Sequence, residues 1–186
     1  VTFRVGREAP KDFVIHEGVS TPASEFVRLA LCGDLKEAKE GFIPLPEDNP
    51  DVFAIYQQWL YGGRICTSTV DFDAGTMDEY ELLVHAYILG EKLVDVGFKD
   101  CITDAIIEKL FTQAQFSLGL TGEVFKNTPS HSPLRRLWMD IYYWAGGAWW
   151  LDEEVVAQPM SLEFLKEFSR FQMRQRHSQL PCPIRT

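Results

Sequence analysis

The chain has 186 residues, 46% hydrophobic and 24% charged, with 27 acidic against 18 basic side chains and a formal net charge of -9; its pI is about 4.9. This is the composition of a globular protein with a sizeable core. The excess of negative charge disfavours nucleic acid as a partner, and no apolar run approaches the roughly 20 residues that span a bilayer.

Thr2 to Val5 alternates polar and apolar residues and then meets Gly6, which predicts a short strand and a turn. Phe13-Val14-Ile15 reads as the second strand of a hairpin, ended by Gly18. A helix is expected from Pro22 to Leu31, with Thr21 as N-cap and Phe26, Leu29 and Ala30 as its apolar face. Phe42 to Leu45 is a third short strand, whose Pro44 points to an edge or a strand end. Asn49-Pro50 opens a helix that runs to about Tyr61 and stops at Gly62-Gly63. Residues 64 to 76 are polar and irregular, with Ile65 the remnant of a strand. Asp78 to Val94 is apolar almost all round, the pattern of a central core helix, and Val96 to Phe111 follows as another. Short strands followed by helices imply an α+β fold and not alternating α/β units.

Residues 112 to 132 are rich in Gly, Ser and Thr. Ser132-Pro133 then opens a periodic helix with Leu134, Leu137, Trp138, Ile141 and Ala145 on one face and Arg136–Asp140 as a solvent-side pair. A last helix, capped by Ser161, carries Phe164, Phe168 and Phe171 in a stripe.

Few residues suggest chemistry. His16, Ser20 and Ser24 are close in sequence, but no GxSxG elbow or evident oxyanion loop accompanies them, so a strand–turn–helix corner is expected there instead of a catalytic pair. No phosphate loop of the GxxxxGK or GxGxxG type is present. Cys32, Cys66, Cys101 and Cys182 form no CxxC pair and have no histidine at ligand spacing. They read as free thiols of a reducing compartment, which places the chain in the cytoplasm or nucleus. His85 reads as a core histidine and Asp152-Glu153-Glu154 as a solvated turn. No cofactor or metal is expected. Trp149 and Trp150 point about 100° apart on a helix, so each packs on a different neighbour or the pair forms an exposed aromatic anchor for a partner.

The spacing of these pieces resembles the BTB/POZ domain in its fungal form. Phe13-Val14-Ile15-His16-Glu17 is similar to the family's F-x-V-H-K strand end, with glutamate for lysine, and Ser24-Glu25-Phe26-Val27-Arg28 to its S-E-F-F-R helix start. Ile43 to Pro50 followed by Val52-Phe53 resembles the third strand and following helix; Trp59-Leu60-Tyr61-Gly62-Gly63 resembles W-L-Y-T-G; Tyr87 to Leu93 resembles Y-x-L-A-E-K-L, with Gly90 for alanine. Ser132-Pro133-Leu134-Arg135-Arg136 is similar to a run that follows many fungal BTB cores.

The resemblance implies a BTB core at about 1–111 and a helical extension at about 112–186. It implies a non-enzymatic protein-interaction domain, either a substrate adaptor for a cullin ubiquitin ligase or an oligomerisation or scaffold module of a regulatory protein. Cullin-binding members carry an apolar–any–acidic triplet before the third strand, which Leu35-Lys36-Glu37 matches, and Tyr61 occupies a family position at the same surface. Leu35, Glu37 and Tyr61 are therefore the candidate cullin contacts. Family dimers exchange a strand and helix ahead of the first core strand. The sequence starts at Val1 beside that strand, so weak self-association at most is expected.

Overall fold

Side-chain alternation builds the sheet. Strand β1 (Thr2–Val5) buries Phe3 and Val5 and leaves Arg4 exposed. It pairs antiparallel with β2 (Lys11–Val14), Phe3 opposite Phe13, and parallel with β3 (Phe42–Leu45), Phe3 opposite Ile43. The order is β2-β1-β3, so Pro44 lies on an edge strand, where its missing N–H costs the ladder little. The computed structural model describes residues 1–32, 36–65, 78–113, 116–151 and 160–179. It is an α+β protein that divides into two compact units, Val1–Phe116 and Ser117–Thr186.

Between β2 and β3 the chain makes three short helices where one was expected from Pro22. Helix α1 spans Glu17–Ala23, α2 spans Glu25–Leu31 and α3 spans Lys36–Glu40. Thr21 is not an N-cap, and Gly18 lies inside α1 instead of ending a strand. Pro22 sits in the last turn of α1, where it withholds a backbone donor, and the helix ends one residue later. Ser24 is the true cap: its Oγ accepts the Val27 N–H at 3.1 Å, closing the start of α2.

Helix α4 (Pro50–Gly62) begins on Asn49, whose Oδ1 accepts the Asp51 N–H at 2.8 Å. It ends on Gly63, which takes the left-handed φ of 63° that favours glycine. Helix α5 (Glu79–Leu93) buries Tyr80, Leu82, Leu83, Val84, Ala86 and Tyr87 among others, as its all-round apolar sequence predicts. It packs against α6 (Val96–Gln113), which carries the first unit past the Phe111 boundary read from composition. Gly90 permits that approach: a Cβ there would lie 2.8 Å from Lys99 Cγ and 3.1 Å from the Phe98 ring. Ile65 is not in a strand. Cys101 is half-buried on α6, and burial raises its thiol pKa above the ordinary value; Cys32 is exposed at the end of α2. Cys66 and Cys182 lie outside the described residues.

In the second unit, the Gly/Ser/Thr-rich stretch folds into a 3-10 turn at Leu118–Leu120 and helix α7 (Thr121–Asn127). Leu120, Val124 and Phe125 are buried there, enough apolar contact to override weak helix propensity. Helix α8 (Pro133–Trp144) buries Leu134, Trp138 and Ile141, and Arg136 pairs with Asp140 at 2.9 Å as expected; Ala145, assigned to the apolar face, is an exposed C-cap. Helix α9 (Leu162–Gln179) starts with Ser161 Oγ accepting the Phe164 N–H at 3.1 Å. Its Phe164 and Phe171 are buried, and Phe164 and Phe168 stack at 5.5 Å. The centre of this unit holds Arg135. It is 3% exposed. Its guanidinium donates to Glu163 at 2.6 Å, to Glu167 at 2.8 Å, to Thr128 Oγ1 at 3.1 Å and to the carbonyls of Phe125 and Thr128.

Candidate partner-binding surface

The His16–Ser24 corner serves the fold. Ser24 is fully buried. Its Oγ donates to the Leu93 carbonyl at 2.6 Å while accepting the Val27 N–H, so its proton ties α2 to the end of α5. His16 precedes α1 and its carbonyl accepts the N–H groups of Val19 and Ser20. Its Nδ1 lies 2.7 Å from Tyr61 Oη, so the imidazole is engaged with a phenol and not with Ser24. His16 itself is exposed.

The apolar residues expected to seat α2 in the core do something else. Val27 is the buried residue; Leu29 is 54% exposed, and Phe26 and Ala30 are half-buried. With Ile43 and Pro44 of β3, Glu25, Glu37 of α3 and Val94, they line a surface groove of about 490 Å³. Two carboxylates stand on this apolar lining. Glu25 is neutralised by Arg28, whose Nε donates at 2.7 Å and whose Nη2 makes a second bond; that pairing holds the Glu25 pKa below the usual carboxylate range. Glu37 is half-buried and, among the described residues, has no ion pair or hydrogen bond.

Val94 follows α5 with a φ of 52°, strained for a β-branched residue. The next residue holds the corner. Asp95 is 1% exposed, accepts the Phe98 N–H on Oδ1 at 2.9 Å and the Tyr56 hydroxyl on Oδ2 at 3.1 Å. It thereby caps α6 and ties it to α4. Burial pushes the Asp95 carboxyl pKa up, against the lowering effect of the Phe98 N–H. Burial and the nearby Asp95 charge push the Tyr56 phenol up. No sequence signal marked Asp95 beyond its position one residue before a helix.

Of the residues singled out from sequence, Glu37 lies in the groove. Tyr61 does not line it; it stands at the end of α4, 51% exposed and bonded to His16. Leu35 lies outside the described residues, as do Asp152, Glu153 and Glu154. Of the two readings of Trp150 the packing one holds and the exposed anchor is corrected: the side chain is only 9% exposed and meets the Tyr142 ring edge-on at 5.4 Å. Its backbone lies in a 3-10 turn at Ala148–Leu151, where Gly146-Gly147 lets the chain fold back on α8. The side chain of Trp149 lies outside the described set. Among the described side chains of this unit, Trp144, at 73%, is the exposed tryptophan. His85 is half-buried.

Among the described residues, no cluster of three metal-ligating side chains occurs and no helix is long and apolar enough to cross a membrane. Compared with known families and curated proteins, the chain matches no family model and no curated sequence.

Proposed function

We propose that the chain is a protein-interaction domain of BTB/POZ type, fungal in form, that acts without catalysing a reaction and binds a cullin as a ubiquitin-ligase adaptor in the cytoplasm or nucleus. The observation that carries this reading is the Glu37 carboxylate, unpaired among the described residues, in the lining of the apolar groove of α2 and β3. An apolar side chain of a partner can fill such a groove while a cation or N–H of the partner takes a charge-assisted bond to the carboxylate. Glu37 is the acidic member of the Leu35-Lys36-Glu37 triplet that is similar to the one cullin-binding members carry. A hairpin, three short helices, a third strand and then α4 to α6 are in keeping with the short strands followed by a helical body that the resemblance implies. The non-catalytic reading is supported by Ser24, whose hydroxyl is spent on a cap and on the Leu93 carbonyl. The rival reading is an oligomerisation or scaffold module of a regulatory protein; the Trp150 ring, buried in its own unit, adds no exposed anchor to it.

Calorimetric titration of the full chain with purified cullin tests the proposal. Wild type is expected to bind, Leu29→Asp and Glu37→Lys to bind at least tenfold more weakly, each by roughly 1.4 kcal/mol or more. Both positions are accessible enough to accept these changes without unfolding. Equal binding by both variants would exclude the groove as the contact, and no binding by wild type would remove the adaptor role.

A further inference from the structure

One residue makes both hydrogen bonds to the Tyr61 phenol. The His16 backbone N–H donates to Tyr61 Oη at 3.0 Å, and His16 Nδ1 lies 2.7 Å from the same oxygen, with the rings edge-on at 81°. The backbone group can only donate, so it occupies a lone pair of Oη. The second bond is complete when Tyr61 donates its proton to a bare Nδ1, with the imidazole proton on Nε2. In that arrangement the only proton of the phenol is used within the pair. What Oη offers outward is its remaining lone pair, on a side chain that is 51% exposed.

We propose that His16 is a positioning residue that fixes Tyr61 as a hydrogen-bond acceptor on the partner face, so that Tyr61 selects a lysine or arginine donor. The proposal rests on the reading of Tyr61 as a partner contact. Charge supports a cationic donor: of the 27 acidic side chains 20 lie in Val1–Phe116, with only 10 of the 18 basic ones, so the unit that carries Tyr61 attracts a basic surface. Both residues stand at the surface, so the imidazole adds little to core burial. Its effect is to hold the phenol in one rotamer and one donor–acceptor state before the partner arrives, which lowers the ordering cost of binding.

Two measurements on the full chain test this. Nitrogen-15 NMR of the His16 ring in mildly alkaline buffer is expected to find the proton on Nε2 and Nδ1 bare; a proton on Nδ1 would overturn the proposal. Titration with purified cullin should show Tyr61→Phe and His16→Leu each binding about tenfold more weakly, the loss of one hydrogen bond to a charged group. His16→Asn, whose Oδ1 can replace Nδ1 as acceptor, should return affinity to within about threefold of wild type. If Tyr61→Phe weakens binding and His16→Leu does not, or if His16→Asn is as weak as His16→Leu, His16 does not position the phenol. If Tyr61→Phe binds normally while Glu37→Lys fails, the groove reading stands and this proposal falls. If wild type does not bind cullin, both fall.

Discussion

Removal of the Asp95 side chain tests how the corner behind the groove is held. In Asp95→Ala the Phe98 N–H loses its acceptor, a cap worth about 1 kcal/mol. The buried Tyr56 hydroxyl loses a charged acceptor, worth about 1–2 kcal/mol. A loss of about 2–3 kcal/mol is therefore expected near neutral pH. Asp95→Asn behaves differently: its Oδ1 keeps the Phe98 bond, and its amide can donate to the Tyr56 oxygen. It also removes the cost of a buried charge. Because the Asp95 pKa is raised in the fold, protonation favours the folded state. Its contribution is fully present below the unfolded carboxylate value and is lost as pH rises through the higher folded value. Wild type should thus lose stability across that interval, and Asp95→Asn should not; at neutral pH the Asn variant should equal or exceed wild type. Denaturant unfolding by circular dichroism over a pH series measures this, with amide exchange at Phe98 and along α5 and α6 assigning it to the first unit. An Asn variant as unstable as Ala at neutral pH would show that the charge itself, and not its hydrogen bonds, supports the corner.

Val94→Gly relieves a left-handed backbone that costs an L-residue about 1–2 kcal/mol and should raise stability by about 1 kcal/mol, read as a higher denaturant midpoint; a lower midpoint would mean that the half-exposed valine packs more tightly than its position suggests. Arg135→Leu leaves two buried carbonyls without donors and two carboxylates without their cation, so the second unit should lose about 3–5 kcal/mol, seen as faster amide exchange in α8 and α9. Arg135→Lys should recover only part of this, because an ammonium cannot reproduce the planar fork. Trp150→Ala should cost about 3 kcal/mol through lost packing on Tyr142 while leaving the sedimentation behaviour unchanged.

The strands and long helices were legible because their periodicity is decided locally. Phe3 and Val5 alternate, and α5 is apolar on every side. The corner at residues 17–31 was not, because proline favours a first helical turn, and Pro22 is held in the last turn of α1 by a Ser24 that caps α2 and bonds the distant Leu93 carbonyl. The groove was hidden for a related reason. Phe26, Leu29 and Ala30 have core-like spacing, and sequence does not say that α2 turns Val27 inward and leaves that stripe on the surface. Residue type did not mark the burial of Arg135 or Trp150: of two adjacent arginines only Arg135 turns inward, and the tryptophan pair left packing and an exposed anchor both open. Five donor bonds in one case and packing that includes the Tyr142 ring in the other bury them.

The most direct measurement is amide hydrogen exchange of the full chain, alone and with saturating purified cullin. The account predicts new protection along α2, at Glu37 and the start of β3, and at Val94, the segments that line the groove. A complex that protects none of them, or no complex at all, would contradict it.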